Sequence, residues 1–461
     1  MFVLRRIVGV LACVIGGLAY AGDLGSLLAA RRDELKFPGA AAALVRDGKI
    51  VAEGVCGVRK LGAPENIAPA DLLMIGSCGK SCTRLLIGRL AERGLLTFDS
   101  TLAALLPDVP MRDEYRTVTI ANILGHRGGI PAYTEISPQR TPILFEEKGT
   151  PLERRARFAA HVLQEPPAAP AGTRMVYSNA GYGLLGHIAE RLAKKPFEEL
   201  IRDEVFAPLQ MKSAFVGFPN SGPGREGLFG HLKGDDGTFE PAQRQRTPLP
   251  AIAPAGLMSC SIGDFARLAA QLAACEAGKP GEFLKPETAA RIRELRPGGG
   301  GSGREGGGEG GGEGEIFYGG DGLYTAAFAL WPSKGVAIVV GTNAGESDEI
   351  CEAIINAARE KYAPDVSIAD GGPTPPAGKR PRFGFGIEAS SPDDLRISQV
   401  RPGSPAEKAG LKVDDRIVAI NGKSLAELSE EQRMQAFYSS PLTLTLERGG
   451  KPLTVTIESP N

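Results

Sequence analysis

Two pairs of apolar runs lie at opposite ends of one long stretch of the chain, and they constrain the fold more than any other feature. Ala41 to Val45 and Ile50 to Val55 read as a hairpin turned at Asp47-Gly48. Far downstream, Tyr324 to Trp331 and Gly335 to Gly341 read as two further strands joined by Pro332-Ser333-Lys334. Between them Leu85 to Leu96, Tyr182 to Leu192 and Ile262 to Leu272 carry helical apolar spacing, and a last helix is expected over Glu349 to Lys361. Strands at both ends with helices between predict an α/β domain whose sheet closes late, using distant parts of the chain.

At 461 residues the chain is too long for one ordinary domain. Two composition breaks divide it. Gly298 to Glu315 holds twelve Gly and four Glu, too little apolar surface to bury, and reads as an insert without structure of its own. A Pro- and Gly-rich linker over residues 367–381, densest from Asp370 to Pro381, separates a large region, 22–366, from a small one, 382–461. Residues 1–21 read as an export signal: Arg5 and Arg6 precede an apolar run from Ile7 to Leu18, and Ala19-Tyr20-Ala21 offers small residues for cleavage. Val10-Leu11-Ala12-Cys13 offers a lipid-anchored alternative, disfavoured because the apolar stretch continues past Cys13. The mature protein is therefore expected to be periplasmic or extracellular, with no later membrane span.

With 53 Lys and Arg against 54 Asp and Glu and no extended basic run, a nucleic-acid partner is not expected. Six cysteines follow the signal: Cys56, Cys78, Cys82, Cys260, Cys275 and Cys351. The spacing of Cys78 and Cys82 would suit two zinc ligands, but no His lies close in sequence. Buried apolar thiols are the expectation, with no metal and no cofactor.

The chemistry centres on Ser77-Cys78-Gly79-Lys80. If Gly76 ends a loop and a helix begins at Ser77, a three-residue offset puts hydroxyl and amine on one face, one turn apart. An alcohol becomes a competent nucleophile when a neighbour takes its proton, and desolvation lowers a lysine pKa enough to supply that neighbour. Farther along, Tyr177-Ser178-Asn179 can present a phenol and an amide from one loop into one cleft.

Together these motifs closely resemble the serine β-lactamase-like family that includes class C β-lactamases, DD-peptidases and related esterases. The resemblance also rests on Gly94-Leu95-Leu96-Thr97-Phe98-Asp99, Ile123 to Pro131, Pro254 to Arg267 and Val339 to Asn343, and it covers most of Phe37 to Tyr362. It implies an antiparallel sheet flanked by helices, with an all-helical subdomain. It implies Ser77 as the acylated nucleophile, Lys80 and Tyr177 sharing general-base duty, and Asn179 orienting the site. The backbone N–H groups of Ser77 and Gly320 are implied as oxyanion donors, and the substrate as a small-molecule or peptide acyl compound. His126 falls at the family's structural histidine in a helix-ending turn, and His161, His187 and His231 read as surface or packing residues.

The third motif departs from the family, which carries Lys or His there, then a small residue, then Gly. Aligning Pro332-Ser333-Lys334-Gly335 with the family's following turn places Phe317, Tyr318 and Gly319 at that position. The shifted alternative, Gly320-Asp321-Gly322, lacks the cation as well. The loss weakens any expectation of β-lactamase or carboxypeptidase activity and weighs less on neutral esters and amides. A degenerate scaffold that binds without turnover is the competing expectation.

The small region, with Phe383 to Ile387, the strand Leu395 to Val400 and the run Pro402 to Gly422, resembles a PDZ domain of the kind found in exported bacterial proteases. That resemblance implies a free edge strand for an extended peptide, with amides near Phe385, Gly386 and Ile387 receiving a terminal carboxylate.

Overall fold

The computed structural model describes residues 23–220, 227–234, 236–242, 249–295, 313–367, 383–391, 394–400, 403–428, 430–437 and 439–458. The expected signal at 1–21 with Cys13, positions 298–312 of the Gly-rich insert and positions 370–381 of the linker lie outside these residues. The chain divides into two compact units, Met1–Ala369 and Asp370–Asn461.

In the first unit the strands β1 (Gly39–Arg46), β2 (Lys49–Gly57), β3 (Ile316–Gly320), β4 (Thr325–Trp331) and β5 (Val336–Thr342) form one antiparallel sheet in the order β2-β1-β5-β4-β3. β1 reads Gly-Ala-Ala-Ala-Ala-Leu-Val-Arg because both its faces are covered, so side chains pointing either way must be apolar. Ala41, Ala43 and Val45 face one core with Phe328, Leu330 and Val339. Ala40, Ala42 and Leu44 face a second with Ala327, Ala329, Ile338 and Val340. The second core is closed by a helix over 23–35, α1, which supplies Leu24 and Leu28, and by the last helix of the unit, Asp348–Tyr362, which supplies Ile350, Ile354 and Ile355.

The first core is the larger and holds α2 (Lys80–Glu92), α3 (Ile120–Leu124), α4 (Pro151–Val162), α5 (Asn179–Ala193), α6 (Ile262–Glu276) and α7 (Pro286–Glu294); the Asp348–Tyr362 helix is α8. Cys82, Leu85, Leu86, Ile87 and Leu90 of α2 are fully buried there. α2 stops at Glu92, short of the Leu96 expected from apolar spacing, because Gly94 takes φ +72° and turns the chain out of the helix. A buried ion cluster pins α4 to α5: Arg155 Nη2 lies 2.7 Å from Glu190 Oε1 and 2.8 Å from Glu198 Oε2, and its Nη1 donates to Pro250 O at 2.7 Å. Both Arg155 and Glu190 are sealed from solvent, so this cluster fixes the helical layer in one arrangement.

The second unit is a six-stranded sheet along whose path run Phe385–Ser391, Asp394–Val400, Arg416–Ile420, Leu442–Arg448 and Lys451–Ile457, with Lys423–Ser424 paired to the third. Ile397, Ile417, Leu444, Leu446 and Ile457 form its core. Phe385–Ser391 stands at one edge, and the Phe385 ring meets Phe437 of the Glu430–Phe437 helix edge-on at 6.5 Å. Phe385 and Ile387 pack partly buried against the core. Gly384, at φ +77°, leads into the strand, and a Cβ there would stand 2.3 Å from Ser404 Cβ.

Candidate active site

The expected helix start at Ser77 is corrected by one turn. Gly76–Gly79 forms a 3-10 turn and the α-helix begins at Lys80. In a 3-10 turn residues three apart eclipse. Ser77 and Lys80 are therefore stacked, with Lys80 Nζ 3.1 Å from Ser77 Oγ. Gly76 enters the turn at φ +50°, and a Cβ on it would fall 2.3 Å from Gly320 N. A Cβ on Gly319 would fall 2.7 Å from Ser77 N and 2.3 Å from Ile75 O. Only glycines permit this contact, which lays the amides of Ser77 and Gly320 in backbone segments packed on one another.

Lys80 is buried, and its amine meets three oxygens: Ser77 Oγ, Asn179 Oδ1 at 2.8 Å and Ala255 O at 2.8 Å. Burial pulls its pKa down from 10.5 to about 7, so the neutral amine is well populated near neutral pH. A neutral amine has two N–H donors and one lone pair. The amide and carbonyl oxygens take the donors, leaving the lone pair to accept from the Ser77 hydroxyl. Tyr177 Oη lies 2.8 Å from the same Oγ. Burial raises this phenol to about 12, which keeps its proton on.

The loop before α5 is held on every side. Ser178 caps the helix by accepting from Gly181 N at 2.8 Å and donates to Pro131 O at 2.7 Å. Asn179 N donates to Ala132 O, and its Nδ2 donates to Tyr133 O at 2.9 Å, which turns Oδ1 toward Lys80. Tyr133 sits at φ +50°, an unusual conformation for a tyrosine, secured by its hydroxyl on Glu165 at 2.7 Å and its ring edge-on to Phe158. His126, at φ +56° just past α3, accepts from Ser178 N on Nδ1, so Nε2 carries the proton; Nε2 meets no partner among the described residues. Its ring lies 4.6 Å from Tyr177, and burial keeps it neutral by pulling its pKa well below 6.5.

The structure thus brings Ser77, Lys80, Tyr177 and Asn179 together. Phe317 stacks on Phe328, with centroids 4.8 Å apart and 17° between planes, on the Ser77 side of the sheet. Tyr318 points to the opposite core, where its hydroxyl reaches Glu352 Oε2 at 3.5 Å; it does not stand in for the absent cation. His161 is exposed beside Glu165. His187 is buried, and His231 is buried between Leu61 N and Asn343 O. All six described cysteines are free and buried. The carbonyls of Ala255 and Tyr133 were not found by sequence reasoning. Their contribution comes from the main chain and leaves no side-chain signal, although Ala255 lies inside a segment that carried the family resemblance.

A Ser–Lys–Tyr constellation on an antiparallel sheet covered by helices defines a β-lactamase and penicillin-binding-protein type of serine hydrolase fold. The Beta-lactamase family model matches residues 24–360 and the PDZ domain model residues 375–447. The chain belongs to the beta-lactamase family and carries a PDZ domain. It is 29% identical over 189 residues to Penicillin-binding protein 4 of Amycolatopsis lactamdurans, covering 41% of this chain and 47% of that protein. It is 26% identical over 193 residues to N-acetylmuramyl-L-alanine amidase of Bacillus subtilis (strain 168), covering 38% and 42%. These matches span under half the length of either relative. Among solved structures, SurE superposes with a TM-score of 0.62 at 21% identity, covering 95% of this chain and 93% of that one. A class C beta lactamase from Rhodobacter sphaeroides gives 0.54 at 18%, covering 73% and 98%. At such identities the superpositions establish the fold alone.

Proposed function

We propose that the protein is an exported serine acyl hydrolase working through a Ser77 acyl-enzyme. The observation that carries this reading is Ser77 Oγ held between Lys80 Nζ at 3.1 Å and Tyr177 Oη at 2.8 Å. Lys80 takes the hydroxyl proton as Oγ bonds to the substrate carbonyl carbon. Tyr177 gives its phenol proton to the leaving group as the carbonyl's bond to that group breaks; in the second step the phenolate takes a proton from the attacking water, and Lys80 returns its proton to Oγ as the acyl bond to serine breaks. The N–H groups of Ser77 and Gly320 serve the developing oxyanion. Water then releases the acid. Asn179 fixes the lysine.

With Phe317 where the family holds a cation, neutral esters and amides are the expected substrates, ahead of penicillins and peptides ending in a carboxylate. The PDZ domain positions a peptide partner by its C-terminus along the edge strand starting at Phe385, with the amides of Phe385, Gly386 and Ile387 at the carboxylate. Export rests on the leader at residues 1–21. Intact-mass measurement after treatment with a fluorophosphonate tests the reading: one adduct, lost in Ser77→Ala, is expected. No adduct, or one that survives that substitution, overturns it. The replacement by Phe317 and the Gly-rich insert next to it in sequence favour a second reading, a binding scaffold without turnover. Ester turnover lost in both Lys80→Ala and Tyr177→Phe rejects it.

A further inference from the structure

We propose that the cleft beside Ser77 is an acyl-chain receptor, so that the preferred substrate is an ester carrying a long, uncharged apolar acyl group. The inference rests on the serine hydrolase reading above and specifies its substrate.

The cleft takes in about 890 Å³ of non-atom space, open solvent at its mouth included. It follows one stripe of the 3-10 turn and α2. Ser77, Lys80, Ser81, Arg84 and Leu85 recur at three- and four-residue offsets and all line it. The eight rises from Ser77 to Leu85, at about 1.5 Å each, make this stripe about 12 Å long, longer than an acetyl group. Away from the nucleophile Leu85, Met175, Leu272, Ile292, Phe317 and Phe328 make most of the wall, with Arg84 and Glu276 as its charged members. Phe317 carries the argument. In register with Phe328, it builds a continuous aromatic wall at the strand position that would otherwise offer a cation. A carboxylate placed against the Phe317 ring would lose its water and gain no cation from that strand position, whereas methylenes would be buried against rings. Arg84, farther in, donates from Nη2 to Ile292 O at 2.5 Å, an interaction that ties α2 to α7.

The reaction balances as ester plus water giving acid plus alcohol. The acyl carbon exchanges its alkoxide for Ser77 Oγ, and then Oγ for a water hydroxyl, with the chain held in the cleft through both steps.

The test is kcat/KM of the full chain for p-nitrophenyl acetate, butyrate, octanoate and dodecanoate, with the p-nitrophenyl hemiester of a dicarboxylic acid and a D-phenylalanyl ester as charged comparators. The expected result is a rise from acetate to octanoate of up to about fourfold per methylene, the burial energy of one CH2 written as a rate ratio, expressed mainly in KM. Both charged comparators are expected to fall below octanoate. Within Leu272→Trp the ratio of octanoate to acetate should collapse toward one, and within Leu272→Ala the optimum should move to a longer chain. A flat or falling profile, a preference for either charged comparator, or a ratio indifferent to both substitutions overturns the proposal. If Ser77 still takes the fluorophosphonate, the hydrolase reading survives that result. Absence of both the adduct and all turnover overturns both.

Discussion

Tyr177 Oη and Ser77 Oγ, 100 positions apart in the chain, stand 2.8 Å apart in the fold. The phenol is held up at about 12 by burial, so at working pH it is a donor and not a phenolate. Tyr177→Phe keeps the ring against His126 and removes only that donor. Turnover of p-nitrophenyl esters, whose leaving group needs little help, should fall less than turnover of an alkyl ester or amide, where the loss should reach about 10²- to 10⁴-fold. Equal losses on both would refute the division of labour.

The pH profile follows from Lys80. Its folded pKa of about 7 means kcat/KM should climb as pH rises through that value, because the amine must be neutral to accept the serine proton. Lys80→Arg should not restore activity, since a guanidinium does not give up its proton. The stability counterpart has a definite sign. Between about 7 and 10.5 the unfolded chain holds a proton that the folded chain has released, so native stability rises with pH across that window. Urea titrations of the native protein and Lys80→Met should show the native chain gaining on the variant from about pH 7 to about pH 10. A constant difference would mean that Lys80 is not depressed.

Gly319→Ala places a Cβ against Ile75 O and Ser77 N, so the nucleophile's amide must move. The rate of fluorophosphonate labelling should drop by about 10²-fold or more, comparable to loss of one oxyanion donor. A labelling rate within a few fold of native would show that this contact does not hold the amide in place.

Arg155→Met leaves Glu190 buried without its partner. A loss of about 3–5 kcal/mol is expected from urea unfolding. A change near zero would mean that the helical layer repacks around the vacancy.

Phe317→Lys restores a cation at the third motif while breaking the ring stack on Phe328. Acylation by penicillin should quicken, and stability should fall by roughly 1 kcal/mol for the lost aromatic pair. Slower penicillin acylation in a folded variant would place the determinant of substrate charge elsewhere.

What the sequence made legible, and what it did not, divides along physical lines. The hairpin over Ala41 to Val55 was readable because Asp47-Gly48 interrupts two apolar runs, and observed β1 and β2 extend it by a few residues at either end. The Ser77/Lys80 and Tyr177/Asn179 pairs were readable because side chains carry them. The α-helical start at Lys80 was not, since its N-cap is Gly79, which has no side chain to make the capping bond that would mark it. The carbonyls of Ala255 and Tyr133, and the close approach permitted by Gly319, belong to main chain brought in from afar, and local pattern does not record such contacts. Strand order β2-β1-β5-β4-β3 was equally silent. The alanines of β1 would suit several neighbours, and packing on both faces decides which one they receive.

The pairing of β1 with β5 has a consequence for biosynthesis. Thr342 Oγ1 reaches back to Gly39 O across 303 positions, and β1 is flanked by β5 along its whole length. A growing polypeptide still on the ribosome therefore lacks the central neighbour of its first strand until almost the entire domain has been made. The early hairpin must wait, exposed, for a partner synthesised last, and release of a truncated product ending before Val336 should yield an aggregation-prone species in place of a smaller working enzyme.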